Sequence, residues 1–193
     1  MKSSNVFSAL LLTGISSAQT PAGFEPAVEQ KLEITFGTKA VSEPGLALTK
    51  AETTRQPTIG LSGEAAGTYL WMMIDLDAST NFQNPSAGQA VTYLHTVIQD
   101  FKASGSASAD GVNTLTSTAT GPVAWFNPMP GAENPPHPHR YTNLLWEQPE
   151  DWALPTAANS MLQQQKVGFS VLEFITAAGL STPIAANYFN VTG

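Results

Sequence analysis

The chain has 193 residues, a formal net charge of -7 and 8 Lys and Arg residues in all. No basic stripe exists to neutralise phosphates, which excludes nucleic acid and simple electrostatic docking on anionic lipid. Hydrophobic residues make up 42% and cysteine is absent, so stability must come from an ordinary core without disulfides.

The N-terminus reads as a secretory leader. Lys2 supplies its positive start, Val6 to Ile15 an apolar stretch, and Ser16, Ser17 and Ala18 the small residues of a cleavage site after Ala18. The apolar stretch is too short to span a bilayer, and no other segment looks transmembrane. The division expected is a leader over residues 1–18 and one domain over residues 19–193 of a secreted or lumenal protein.

Residues 19–30 are rich in Pro and Ala and read as a loose lead-in. Lys31 to Phe36 alternates charged and apolar residues, which predicts a half-exposed strand, and Thr58 to Leu61 predicts another. Tyr69 to Ile74 is apolar on both faces, as in a central strand, and runs directly into Asp75, Leu76 and Asp77. Val91 to Phe101 is a long strand candidate with His95 inside it. Residues 103–121, rich in Ser, Ala, Thr and Gly, read as a disordered insertion holding at most one weak strand. Residues 127–138 form a Pro-rich loop, and Tyr141 to Glu147 returns to strand pattern.

A short helix is expected around Asn159 to Gln165. A firmer one begins at Ser170, whose capping box is completed by Glu173 and whose stop is Gly179. Pro183 to Val191 closes the chain as a strand. Asn190, Val191 and Thr192 form an N-glycosylation acceptor, with Asn190 as its site. Strands outnumber helices, so the fold class is mainly β.

The chemistry-bearing residues are few. The three histidines are His95, His137 and His139. On a strand, alternate residues share a face, so Asp75 and Asp77 would point the same way if the strand persists. Their bland reading is a strand end turning into solvent, and a lone strand histidine such as His95 is commonly a satisfied core residue. Two histidines and two carboxylates would suit zinc or iron. Pro138 leaves the facing of His137 and His139 uncertain, and no further ligand cluster stands beside them, so neither metal nor cofactor is expected. No Gly-x-Ser-x-Gly elbow and no phosphate-cradling Gly-rich loop occur.

The order of these motifs resembles the phosphatidylethanolamine-binding protein (PEBP) family, also described as Raf-kinase-inhibitor-like. The family's first motif, Asp-Pro-Asp-Ala-Pro, is matched by Asp75, Asp77 and Ala78. Tyr93, Leu94 and His95 follow, and then the Pro-rich loop ends in His139, Arg140 and Tyr141. The closing stretch Pro183 to Phe189 is similar as well, so the resemblance spans residues 30–191. Leu76 and Ser79 replace two prolines of the first motif, and Asn127 stands where the family's second motif, Gly-Pro-x-Pro-Pro followed after a short spacer by His-Arg-Tyr, has glycine. The loop with its extra His137 looks like that of filamentous-fungal members.

The resemblance implies an antiparallel β-sandwich with a C-terminal helix near a pocket for phosphate-like and carboxylate-like anions. Its matched ligand-binding positions are Asp75, Asp77, His95, Pro128, His139 and Tyr141. Two histidines would donate hydrogen bonds to an anion, and the carboxylates would hold the imidazoles in the right tautomer. Three functions follow by analogy. One is a binding module for a small anionic ligand. A second is an accessory, working with pathway enzymes, in fungal secondary-metabolite biosynthesis, where similar proteins are implicated in joining maleic-anhydride units into nonadrides (maleidrides). There His95 and His139 would be acid and base, oriented by Asp75 and Asp77. The third is a secreted or vacuolar carboxypeptidase inhibitor.

Overall fold

A computed structural model describes residues 18–105 and 107–193. The expected leader lies, up to residue 17, outside the described residues. In chain order the strands are β1 (Leu32–Phe36), β2 (Lys39–Ala40), β3 (Leu46–Leu48), β4 (Thr58–Ser62), β5 (Tyr69–Ser79), β6 (Ala90–Ala103), β7 (Val112–Thr116), β8 (Pro122–Val123) and β9 (Pro138–Glu147). Helices α1 (Thr156–Gln164) and α2 (Val171–Ala178) follow, and β10 (Ala185–Thr192) closes the chain.

β5 is the axis of the molecule. Residues 69–75 are all buried, so the doubly apolar run does form a central strand. It pairs antiparallel with β6 on one side and β9 on the other, and β10 pairs antiparallel with β9. β3 closes that edge in parallel with β10, a departure from an all-antiparallel sheet. The strand order is β2-β1-β4-β7-β6-β5-β9-β10-β3, with β8 beside β6. The long strand β6 makes the turn between sheets: its body pairs with β5, and Lys102 and Ala103 at its end pair with β7.

Alternation on β5 divides the core in two. Trp71 and Met73 face the cluster that joins the two sheets, with Leu32, Ile34, Ile59, Leu115, Leu145 and Phe189. Leu70, Met72 and Ile74 face the helices, with Leu144, Trp146, Leu162 and Phe174. α2 is capped as its sequence indicates: Ser170 Oγ accepts from the Glu173 N–H at 3.3 Å, and Gly179 ends the helix at φ 62°.

Three expectations are corrected. Residues 103–121 are not simply a disordered insertion, because β7 pairs with both β4 and β6 and buries Leu115. β9 starts at Pro138 rather than Tyr141. A proline lacks an N–H but is tolerated at the first residue of a strand, and here Pro138 faces Thr192 in register. α1 starts at Thr156, three residues before its expected start, because Pro155 already sits at φ -63°. The two-residue and three-residue strands β2, β3 and β8 are too short to show a period.

Phe174 lies fully buried against Trp146 and Phe169 on the helical side of the sheet. Phe174→Ala should lower stability by about 3–5 kcal/mol in urea unfolding. A loss under about 1 kcal/mol would show that the helical layer is not integral to the core.

Candidate functional site

The site is built on the three central strands. In the antiparallel register Asp75 of β5 faces Tyr141 of β9 and Tyr93 of β6. His139 lies two residues before Tyr141 and so shares its face. On β6, Thr96 pairs with Met73 and Leu94 with Ile74, which leaves His95 as the extra residue of a bulge. A bulge re-aims the side chain it carries. His95, His139, Tyr141 and Asp75 thereby line one cavity of about 350 Å³, at one end of the core between the sheets. Ala78, Ser79, Tyr93 and Pro130 complete its wall, and Phe82, Phe126 and Met129 lie at the rim.

Asp75 accepts two hydrogen bonds. His139 Nδ1–H donates to its Oδ2 at 2.8 Å, and the Asp77 N–H to its Oδ1 at 2.8 Å. His139 Nε2 is buried and has no hydrogen-bond partner; its neighbour is Glu133 Oε1 at 3.5 Å. Burial pushes the His139 imidazole down. The hydrogen bond and charge of Asp75, joined by Glu133, outweigh that and raise its pKa above the ordinary histidine value.

His95 is the opposite case. Its Nδ1–H donates to the Phe126 carbonyl at 3.0 Å, which leaves Nε2 as the unprotonated nitrogen. Burial lowers its pKa, with the Phe126 carbonyl and Asp75 offsetting only part of the shift. So the expectation that both histidines donate and that both are held by carboxylates is corrected. His139 is held by Asp75 and donates, whereas His95 is held by a backbone carbonyl and accepts. Burial, with the negative charge of Asp75, pushes the Tyr141 phenol far up, so it stays protonated.

Asp77 is buried and does not end in solvent, but it does not line this cavity. A second bulge lies between Asp75 and Ala78, so the two carboxylates do not share a face. Asp77 instead takes a bidentate pair from Arg140, Nε at 2.8 Å and Nη2 at 2.7 Å, plus the Arg140 N–H at 2.9 Å. Burial would raise its pKa, and Arg140 outweighs that and lowers it. Pro128 is buried and not in the lining, where Met129, Pro130 and Gly131 stand instead. His137 sits on the loop surface with its side chain 53% exposed. Asn190 lies within β10, and its Nδ2 donates to the Gly45 carbonyl at 3.0 Å. Helix α2 contributes nothing to the lining, because its buried face belongs to the other core layer.

Glu133 and Phe126 were not read from the sequence, and Tyr93 was read as part of a motif but not as a residue of the lining. The spacing of Tyr93 and His95 was available, but the bulge that brings both to the cavity leaves no mark in residue types. Among the described residues no group of three or more His, Cys, Asp or Glu is arranged to hold a metal ion, and no helix is long and apolar enough to cross a membrane.

The sheet order, the buried Asp75–His139 pair and the loop entering His139, Arg140 and Tyr141 agree with one family. The phosphatidylethanolamine-binding protein family model matches residues 24–189, and the chain belongs to that family. It is similar to phomoidride biosynthesis cluster protein N of Talaromyces stipitatus, with 30% identity over 96% of each chain. A 26 kDa secreted antigen of Toxocara canis is 27% identical over 91% of this chain and 61% of the antigen. Among solved structures, a carboxypeptidase Y inhibitor complexed with its cognate proteinase superposes with TM-score 0.60 at 15% identity, over 86% of this chain and 84% of that one. A phosphatidylethanolamine-binding protein from Plasmodium vivax gives 0.53 at 18%, over 83% of both. At those identities the likeness is one of fold.

The two histidines should separate on titration. In an NMR pH series His139 should titrate above about 6.5 and His95 below it. His139, raised in the folded state, stabilises the fold below about pH 6.5, and this is lost as pH rises through its folded value. His95, lowered, favours the fold above about pH 6.5, and this is lost as pH falls. A reversed order would overturn the assignment of donor and acceptor.

Proposed function

We propose that the protein binds a small anion bearing an apolar substituent, such as a carboxylate or phosphate monoester, in the cavity of Asp75, His95, His139 and Tyr141. One observation carries this reading: a buried histidine, oriented by Asp75 and favoured in its charged form, has a ring nitrogen without a hydrogen-bond partner. A charged donor in that state is matched by an anionic oxygen. His95 Nε2 is an acceptor for a hydroxyl on a partly protonated ligand, and the Tyr141 phenol, held by Asp75, forms the wall beside it. The apolar portion is read from the rim, where Phe82, Phe126 and Met129 are 60%, 44% and 60% exposed around the opening. Three large exposed hydrophobic residues around one cavity suit a ligand that covers them.

The relative named for a phomoidride biosynthesis cluster favours a second reading, an accessory role in fungal secondary-metabolite biosynthesis beside the pathway's enzymes. Maleic anhydrides open to dicarboxylates, which suit the same donor. In that role neutral His95 would take a proton from carbon next to a carbonyl. His139 would donate to the enolate oxygen, with Asp75 orienting His139. Two titratable groups with pKa values pushed apart are the usual arrangement for such a division of labour. Asp77, engaged by Arg140, would act on the scaffold and not on substrate. The fold shared with a carboxypeptidase Y inhibitor carries no argument for inhibition.

The deciding measurement is an NMR titration with phosphate, phosphoethanolamine and an alkyl maleate, repeated on His139→Ala. Saturable shifts at His95 and His139, lost in the variant and largest in affinity for the alkyl maleate, are expected. Absence of shifts with all three would overturn the anion reading.

Export rests on the leader read over residues 1–18. The protein recovered from the medium of an expressing fungal host should begin at Gln19 by intact mass, and retention of residues 1–18 in a cell-associated product would refute it.

A further inference from the structure

The Pro-rich loop carries a carboxylate that the ligand reading leaves unused. Glu133 sets Oε1 3.5 Å from His139 Nε2 and Oε2 4.0 Å from His137 Nδ1. The side chains of His139 and Glu133 are 4% and 14% exposed. A carboxylate so buried is costly unless paired, and the two imidazoles are its partners. Yet His139 Nε2 lacks a hydrogen bond, so Glu133 answers the charge of the imidazolium without satisfying its N–H. An anionic oxygen at ordinary charge-assisted distance, about 2.8 Å, would do both.

We propose that Glu133 is a displaceable internal carboxylate, which covers the anion position at His139 and sets the affinity threshold that an incoming anion must exceed. This rests on the anion-binding reading above. Two negative charges cannot both take the one buried N–H, so binding requires Glu133 to withdraw. The loop holds it in place meanwhile. The Asn134 N–H donates to Ser86 Oγ at 2.8 Å, and Gly131 packs so closely on Pro85 that a Cβ there would sit 2.7 Å from Pro85 Cγ. A tethered carboxylate competes at an effective concentration in the millimolar range or above. Room for its withdrawal adjoins the site. A cleft of about 300 Å³, lined by Glu133, Asn134, Pro135, His137 and Asp77, opens on the far side, and Arg140 neutralises the Asp77 carboxylate there. Competition of this kind weakens every anion by one common factor. Only an anion with further contacts, here at Phe82, Phe126 and Met129, then binds at low concentration.

Glu133 also favours protonation of His139, an effect of opposite sign on anion binding. The groups around His139 are Asp75 on β5, His95 on β6, Tyr141 and Arg140 on β9, and Glu133 and His137 on the loop. The test is therefore made at about pH 5.5, below the ordinary histidine value, and the His139 ring shifts are read in each variant to establish that the imidazole is charged there.

Acetate and octanoate are titrated by NMR into the wild-type chain, Glu133→Gln and Glu133→Ala, with thermal melts to identify any variant that misfolds. Both variants should bind both acids about tenfold tighter, and by the same factor for each acid. The wild-type Asn134 amide should shift on binding as the loop yields. Unchanged or weaker binding in the variants, with the wild type binding, would overturn the displacement while leaving the anion reading intact. Binding by none of the three would overturn both. Should one variant misfold, the other carries the comparison.

Discussion

The hydrogen bond between His139 and Asp75 is the constraint around which the site is organised. A carboxylate in a fully buried central strand is tolerated only if its oxygens are engaged, and both are: one by the His139 imidazole, the other by the Asp77 N–H. The same bond fixes the His139 tautomer and presents Nε2 away from Asp75. It also joins β5 to β9 on the face shared with Tyr141 and Phe189, whose rings stack at 5.5 Å. Charge, tautomer and ring orientation at His139 therefore have a single source, and that source is integral to the sheet.

The two bulges turn a regular sheet into a site. With strict alternation, Asp75 and Asp77 would face one side together. The bulge at His95 instead frees one ring to meet Phe126, on which it stacks at 5.2 Å, and Tyr141, which it meets edge-on at 5.1 Å. The bulge after Asp75 sends Asp77 to Arg140. One acidic pair in sequence thus becomes two separate devices, one that tunes a histidine and one that anchors the entry of β9. Such irregularities disrupt ladder hydrogen bonds, and their cost is tolerated where they re-aim a side chain to advantage.

Much of this was legible in the residues, and the limits have physical causes. The apolar run of β5 and the capping box of α2 signal through local chemistry, and each was found where it was expected; of the acid, histidine and proline positions, Asp75, His95, His139 and Tyr141 come together and Asp77 and Pro128 do not. The bulges do not, because an extra residue in a ladder is defined by its partner strand and not by its own type. Glu133 was illegible for a related reason: nothing in a Pro-rich loop says which carboxylate folds back onto a histidine six residues later. The Ser- and Gly-rich segment around β7 was underestimated because pairing with β4 and β6 overrides weak intrinsic preference. Asp77 was expected to line the pocket and hold a histidine, and its bidentate pair with Arg140 of β9 takes it out of the lining instead.

On the proposed function, an acidic protein that takes an anion into its cavity requires short-range recognition. A net charge of -7 repels anions at a distance, and at physiological salt such repulsion is screened within about 8 Å. On that reading no long-range field would steer the ligand in, and its affinity would come from contacts made after arrival. Inside the cavity, His139 is balanced by Asp75 and overlaid by Glu133, so the polar floor offers good geometry more than surplus charge. The remainder must be apolar: each 100 Å² of apolar surface covered at the rim contributes about 2.5 kcal/mol. In that division the exposed rim residues Phe82 and Met129 would be covered by the ligand. In the proposed complex the polar floor would select for charge and shape, and the apolar rim would supply the binding energy.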